Sequence, residues 1–346
     1  MSEETVPADD MPPWMRKLND DAASVIPLMP AKKKPAVTEI PPPAKEPAKS
    51  GILNINKPAG QTSHDVVQAV RRASGIRRVG HAGTLDPMAT GVLVVCIGSA
   101  TRVVDAVQAQ PKRYRARLRF GQTTDTYDAE GKILIERDPS GLDLAQIESA
   151  LAAFRGDILQ VPPMYSALKQ DGKRLYELAR AGKEVVREAR PVRVDSLEII
   201  AWEAPELEIE MQVSKGTYVR SIAYDLGEAL GVGAHLTALE RTAVGTFLVE
   251  EAERLPRVVE AFLEGWWPSI VHALDSALLD LSAMQVDADR ERAMRLGQQF
   301  DGQAPEPGTS EELRVYDEHG VFIGLATWDA VHLRWQPSKV FPKAEP

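Results

Sequence analysis

Apolar and polar positions begin to recur regularly at Gly51. Ile52 to Asn56 has the composition of a strand, and Lys57-Pro58-Ala59-Gly60 ends it with turn residues. Thr62-Ser63-His64-Asp65 then reads as a helix start, a hydroxyl cap with an acid three positions on, and Val66, Val67 and Val70 supply the buried face. Gly91 to Ile97 is a nearly unbroken, Val-rich apolar run, the pattern of a fully buried strand. In Arg113 to Phe120 a period of two sets Arg113, Arg115, Arg117 and Arg119 on one face, with Tyr114, Ala116, Leu118 and Phe120 on the other. Glu210 to Arg220 alternates in the same way, placing Met211, Val213 and Val219 opposite Ser214, Tyr218 and Arg220. From Ser221 the period becomes helical through Ile222, Leu226 and Leu230, until Gly231-Val232-Gly233 stops it. Ile147 to Phe154 predicts another helix, and Leu175 to Arg180 a short one. Towards the C-terminus Glu312 to Tyr316, Val321 to Trp328 and His332 to Trp335 predict short strands, the first two joined by a hairpin turn at Asp317-Glu318-His319-Gly320.

Composition adds a boundary before this pattern. Residues 1 to 50 hold ten of the 25 prolines, among Ala and Lys, and such a segment cannot bury enough apolar surface to offset its ordering entropy. A disordered tail is expected there. No apolar run of about 18 residues occurs, and no basic-then-apolar leader, so neither a membrane span nor a secretory signal is predicted. Cys96 is the single cysteine and the six histidines lack ligand spacing, which excludes a cysteine-built metal site and predicts no metal and no cofactor. A reducing, cytoplasmic setting follows. The net charge of -9 speaks against a polyanionic partner only on average. Between Gly51 and Ile135, twelve basic side chains face six acidic ones, and Val161 to Arg193 is basic again.

One segment carries candidate chemistry: Gly80-His81-Ala82-Gly83-Thr84-Leu85-Asp86-Pro87-Met88-Ala89-Thr90-Gly91. Its three glycines allow sharp turns and close approach of a ligand, and Pro87 biases Asp86 towards an extended backbone. The residues alone leave two roles open for Asp86, a turn-satisfying acid or a catalytic one. The segment closely resembles the catalytic motif of the pseudouridine synthases, in particular the bacterial branch acting on uridine 55 in the T-loop of transfer RNA. The resemblance runs over about residues 51 to 246. It includes Leu53-Asn54-Ile55-Asn56-Lys57-Pro58, Lys112-Arg113-Tyr114-Arg115, Gly121-Gln122-Thr123-Thr124-Asp125-Thr126, Val161-Pro162-Pro163-Met164-Tyr165-Ser166-Ala167-Leu168-Lys169 and Ser214-Lys215-Gly216-Thr217-Tyr218-Val219-Arg220.

The resemblance implies an α/β (α+β) fold: a mixed, largely antiparallel sheet with flanking helices and a central cleft. It implies a catalytic domain over 51–250, with 161–193 as a mobile insertion that clamps RNA, and more weakly a small β-rich, PUA-like domain over 271–346. It assigns Asp86 as the essential carboxylate, Arg220 as its partner and Tyr114 as the tyrosine that stacks on the uracil and helps remove the C5 proton. His81, Tyr218, Leu239 and Lys57 fall on residues around the target nucleotide. Arg113, Lys169, Lys173, Arg174, Arg187 and Arg190 are candidates for the RNA backbone, against the plainer reading of solvated, salt-bridged arginines and lysines. The expected partner is tRNA, through its T-loop and T-stem, bound by a monomer with no obligate protein partner and no membrane. Two other readings compete: an RNA-binding tRNA folding factor that does not depend on catalysis, and a glycosidase-like hydrolase pairing Asp86 with Asp125 or Asp128.

Overall fold

The computed structural model describes residues 50–341, apart from 167, 171–172, 176–178 and 180–184; the side chains of Lys169, Gln170, Lys173 and Arg174 also fall outside the description. The expected disorder of the N-terminal tail and the short helix at 175–180 therefore lie wholly or largely outside the described residues.

β1 (Gly51–Lys57) and β3 (Thr90–Ile97) are buried along almost their whole length, as their apolar runs require, and pair antiparallel from Gly51↔Ile97 to Lys57↔Gly91. Between them lie α1 (Ser63–Ser74) and the short β2 (Val79–His81), which pairs with β3. The Thr62 side chain accepts from the amide of Asp65 and the Asp65 carboxylate accepts in return from the amide of Thr62, so the predicted capping box is present. β4 (Lys112–Phe120) is followed by β5 (Gly156–Gln160), β6 (Arg190–Glu203), β7 (Glu206–Val213), β8 (Ala234–Val244) and β9 (Glu253–Arg254). The sheet runs β9-β1-β3-β8-β4-β7-β6-β5. Every neighbouring pair is antiparallel except β1 with β9 and β3 with β8, so the sheet is mixed and largely antiparallel.

β4 shows the predicted alternation, with Tyr114, Ala116, Leu118 and Phe120 buried and the intervening arginines more open. Its neighbour β7 explains those arginines. Arg115 and Arg117 lie 3.0 and 3.4 Å from Glu208, and Arg119 lies 3.2 Å from Glu206, so three members of the stripe are paired within the sheet. One expectation is corrected here: the strand predicted to reach Arg220 stops at Val213. A turn through Gly216 (φ +86°) follows, and α2 (Val219–Ala229) begins with Tyr218 as its N-cap. Leu239 and Tyr114 belong to one core that also holds Leu85, Val219 and Ile222, while α3 (Leu255–Glu264) packs beside α1.

A four-stranded sheet of Ser282–Gln285, Glu312–Tyr316, Phe322–Asp329 and Arg334–Val340 forms the C-terminal β domain. It has its own core of Val286, Met294, Phe300, Leu313, Val315, Ile323 and Trp335. Its last strand is longer and later than His332 to Trp335. It is an edge strand, where proline is tolerated, and Pro337 sits opposite Ala326 beside a register shift.

Candidate active site

The loop between β2 and β3 is held from three sides by groups that reach its backbone. From α1, the buried Ser63 hydroxyl accepts from the amide of Leu85 at 2.8 Å and donates to the carbonyl of Leu85 at 3.1 Å. From β1, the fully buried Lys57 ammonium donates to the carbonyls of Pro58, Gln61 and Pro87 at 2.8, 2.6 and 3.1 Å. From β8, the Arg241 guanidinium donates to the carbonyls of Val92, Gly83 and Thr84 at 2.7, 3.1 and 3.5 Å. Gly91, at φ +95°, sits so close to β8 that a Cβ there would lie 2.3 Å from the Arg241 carbonyl oxygen. No residue but glycine fits.

Asp86 projects from this loop into the first turn of α2. The Arg220 Nε lies 2.9 Å from its Oδ2, and Nη2 donates to its Oδ1 at 3.0 Å. This two-point contact fits a planar guanidinium to a planar carboxylate. The remaining donors of Arg220 meet the carbonyls of Thr126 and Tyr165 at 3.0 and 2.9 Å, and Nη1 also lies 3.4 Å from the carboxylate of Asp128. The Arg220 side chain is 4% exposed and that of Asp128 5%, whereas Asp86 keeps 32% of its side chain open. The carboxylate is thus gripped from behind and open in front.

Burial pushes the Asp86 carboxyl above its ordinary value, Arg220 opposes the shift, and the nearby Asp128 charge adds to it. Asp128 is held in turn. Its Oδ1 accepts from the Thr126 hydroxyl at 2.5 Å and from the Glu130 amide at 3.1 Å. Tyr127 between them has a positive φ of 64°, uncommon for a tyrosine, and its ring stacks on Tyr224 at 4.0 Å. Tyr224 lies one helical turn beyond Arg220, so a single face of α2 clasps the segment Thr126–Asp128.

The other expected site residues fall as follows. Tyr114 is 8% exposed and belongs to the same large buried cluster as Leu85 and Leu239. Tyr218 is pinned by Gln160, whose side chain accepts from its amide at 2.7 Å and donates to its carbonyl at 3.0 Å, and burial raises its phenol. His81 lies on β2, where burial and then the charge of Arg241 lower its pKa and favour the neutral ring. Lys57, expected in the floor of the site, donates to three backbone carbonyls, which tie it to the Asp86 loop, and burial lowers its pKa to about 8. Arg187 is likewise engaged, donating to the Pro162 carbonyl at 2.9 Å, while Arg190 is exposed and Arg113 half-buried. Lys169, Lys173 and Arg174 lie on a two-residue hairpin ladder, and their side chains lie outside the described residues.

Sequence reasoning missed the structural use of Asp128 and Arg241. Asp128 drew notice only as an alternative acid, and nothing in the spacing marks Arg241, because its partners lie about 150 residues away along the chain.

The chain is similar to known proteins. A family model described as TruB family pseudouridylate synthase, N-terminal domain, matches residues 71–219, and one described as the tRNA pseudouridylate synthase B C-terminal domain matches 220–284. The tRNA pseudouridine synthase B of Clostridium perfringens is 46% identical over 284 residues, covering 81% of this chain and 95% of the relative. That of Mycobacterium tuberculosis is 47% identical over 248 residues, covering 69% of this chain and 81% of the relative. Among solved structures, a Cbf5-Nop10-Gar1 complex contains a chain similar at TM-score 0.66 and 25% identity, with 86% of this chain and 85% of that one covered. A chain of an H/ACA RNP bound to a substrate RNA containing 2'-deoxyuridine is similar in fold at TM-score 0.65 and 22% identity, with 85% and 86% covered.

Proposed function

The chain belongs to the TruB family of tRNA pseudouridine synthases, and from that premise we propose that it converts uridine 55 in the T-loop of tRNA to pseudouridine, with Asp86 as the catalytic carboxylate. The observation that carries this reading is the two-point grip of Arg220 on a carboxylate whose front remains open.

The reaction breaks the N1–C1′ bond, turns the uracil, forms C5–C1′ and transfers the C5 proton to N1. Atoms and electrons balance within one nucleotide, so no oxidant, reductant or second substrate enters. A uracil stacked in a loop is out of reach of Asp86, and flipping it out costs a few kcal/mol of lost stacking. The flipped base is placed against Tyr114 and Leu239, with Tyr218 as a further wall. Arg220 keeps the carboxylate ionised as the base covers it and water leaves. Its orientation is fixed beforehand by Thr126, Tyr165 and Asp128, so little reorganisation remains for the chemical step. Tyr114, at the pocket wall, assists removal of the C5 proton. The enzyme acts as a single chain, in the cytoplasm where its substrate resides.

The test incubates purified protein with tRNA and maps pseudouridine at single-nucleotide resolution. Asp86→Asn is expected to bind tRNA with a Kd near that of the wild type and to form no product. A wild-type product only at another uridine overturns the substrate assignment. Turnover by Asp86→Asn overturns the role of the carboxylate.

A further inference from the structure

Arg220 is oriented from behind by the segment Thr126–Asp128, and that segment holds a backbone shape it does not favour. Tyr127, at its centre, has a φ of +64°. For a bulky residue this left-handed conformation is an outlier, and it persists only where the surroundings enforce it. Its consequence is geometric. Rotation about the N–Cα bond of Tyr127 sets how the Thr126 carbonyl is directed relative to Asp128. At +64° that carbonyl and the Asp128 carboxylate both meet Nη1 of Arg220, at 3.0 and 3.4 Å. Relaxation to a helical φ would turn the carbonyl by roughly 125° and take one of the two acceptors away.

Backbone hydrogen bonds tie the segment to its own loop and to β8. The Tyr127 amide donates to the Thr124 carbonyl at 3.3 Å, and the Tyr127 carbonyl accepts from the Leu236 amide at 3.0 Å. The Ala129 amide donates to the Leu236 carbonyl at 2.9 Å, and the Thr124 hydroxyl to the Asp128 carbonyl at 2.7 Å. The tie to α2 is aromatic. The rings of Tyr127 and Tyr224 lie 4.0 Å apart and 18° from parallel, a stacked contact. Tyr224 and Arg220 share α2, so one helix supplies both the guanidinium and the ring that holds its acceptors. We propose that Tyr127 and Tyr224 are positioning residues for the isomerisation: their stack keeps Thr126 and Asp128 on Arg220 and, through Arg220, sets the aim of Asp86. This rests on the reading of Asp86 as the catalytic carboxylate. The faces of the rings, not their hydroxyls, carry the role.

The experiment measures the single-turnover rate, the Kd for tRNA and the Tm of five proteins, with rates taken well below the onset of unfolding. These are the wild type, Tyr224→Ala, Tyr127→Gly, the double variant of those two, and Tyr224→Phe. Tyr224→Ala is expected to lower the rate roughly tenfold, less than the roughly 100-fold that a 1 Å misplacement can cost, with Kd within about twofold of the wild type. Glycine accepts a positive φ freely, so a loss in Tyr127→Gly reports the missing ring and not backbone strain. A loss of similar size is expected there. The double variant is expected to be no slower than either single one, because both remove the same contact. Tyr224→Phe keeps the stack and is expected to recover the wild-type rate. An unchanged rate in Tyr224→Ala and Tyr127→Gly overturns the proposal whether or not Tm falls, and so does a weaker Kd at unchanged rate. Losses that multiply in the double variant, or a Tyr224→Phe as slow as Tyr224→Ala, also overturn it. Product formed by Asp86→Asn would sink the underlying reading while leaving the effect of the stack on rate measurable, so the two failures are distinguishable.

Discussion

At the scale of single residues, the proposed chemistry turns on how two carboxylates share one guanidinium. Asp86 and Asp128 both face Arg220, which is almost fully enclosed. Arg220→Ala would leave two carboxylates beside each other with no cation, and removing one partner of such a group destabilises by about 3 kcal/mol or more. Thermal unfolding should therefore shift together with complete loss of turnover. Asp128→Asn should be milder for stability and damaging for rate, because Arg220 loses its rear anchor; a misplaced catalytic group lowers kcat by roughly 100-fold, with KM little changed. The pH profile follows from the direction of the Asp86 shift. The proposed reaction needs the anion, and burial raises the folded-state carboxyl above its usual value. Single-turnover rates should therefore be full at neutral pH and fall as pH drops through a value above the ordinary aspartate range of about 4. In Asp128→Asn the neighbouring negative charge is gone, so the acid limb of whatever rate remains should move to lower pH. A limb that stays in place would show that Asp128 does not act on Asp86 through its charge.

At the scale of elements, the sequence was informative where a local period or cap decides the structure. β1, β3 and β4 and the capped start of α1 lie where apolar runs, alternation and the Thr62–Asp65 pair put them. The failure at Tyr218–Arg220 has an equally physical cause. α2 starts without a side-chain cap, and its N-cap residue Tyr218 is fixed by Gln160 on β5, 58 positions away, so no local signal separates helix from strand there. The consequence for the site is small, since Arg220 faces Asp86 from a helix as well as it would from a strand. The catalytic loop was legible as a Gly-rich, Pro-constrained segment, whereas its supports were not. Ser63, Lys57 and Arg241 reach it from three elements, and only the fold brings them together. Gly91 links the two levels. Gly91→Ala places a methyl group against the β8 backbone at a positive φ, and strain at such positions costs about 1–3 kcal/mol. Melting should show a lowered Tm. Turnover should fall further than stability does, because the pressure falls on Arg241, which holds the loop; an unchanged kcat would remove Arg241 from the positioning role.

At the scale of the whole molecule, an acidic protein binds a polyanion through local charge. In the arginine stripe of β4, Arg115, Arg117 and Arg119 are already paired with Glu208 and Glu206, so we expect little of that binding from them. Arg117→Ala and Arg119→Ala should change tRNA affinity by less than about threefold, in keeping with the modest worth of such paired surface charges; filter binding at low salt would measure it. Stripe periodicity was visible in the sequence, but the neutralising strand that pairs with it was not, since β7 lies some 90 residues further along the chain. The C-terminal β domain keeps a core separate from that of the large sheet, while Arg102, which donates to the carbonyl of Val340, joins the two. All of this is arranged around one open carboxylate. The most direct measurement is a nucleotide-resolution map of pseudouridine in tRNA treated with wild-type protein or with Asp86→Asn. The account expects modification at position 55 with the wild type and none with the variant, which still binds. Pseudouridine formed by the variant, or wild-type modification confined to another site, would contradict it.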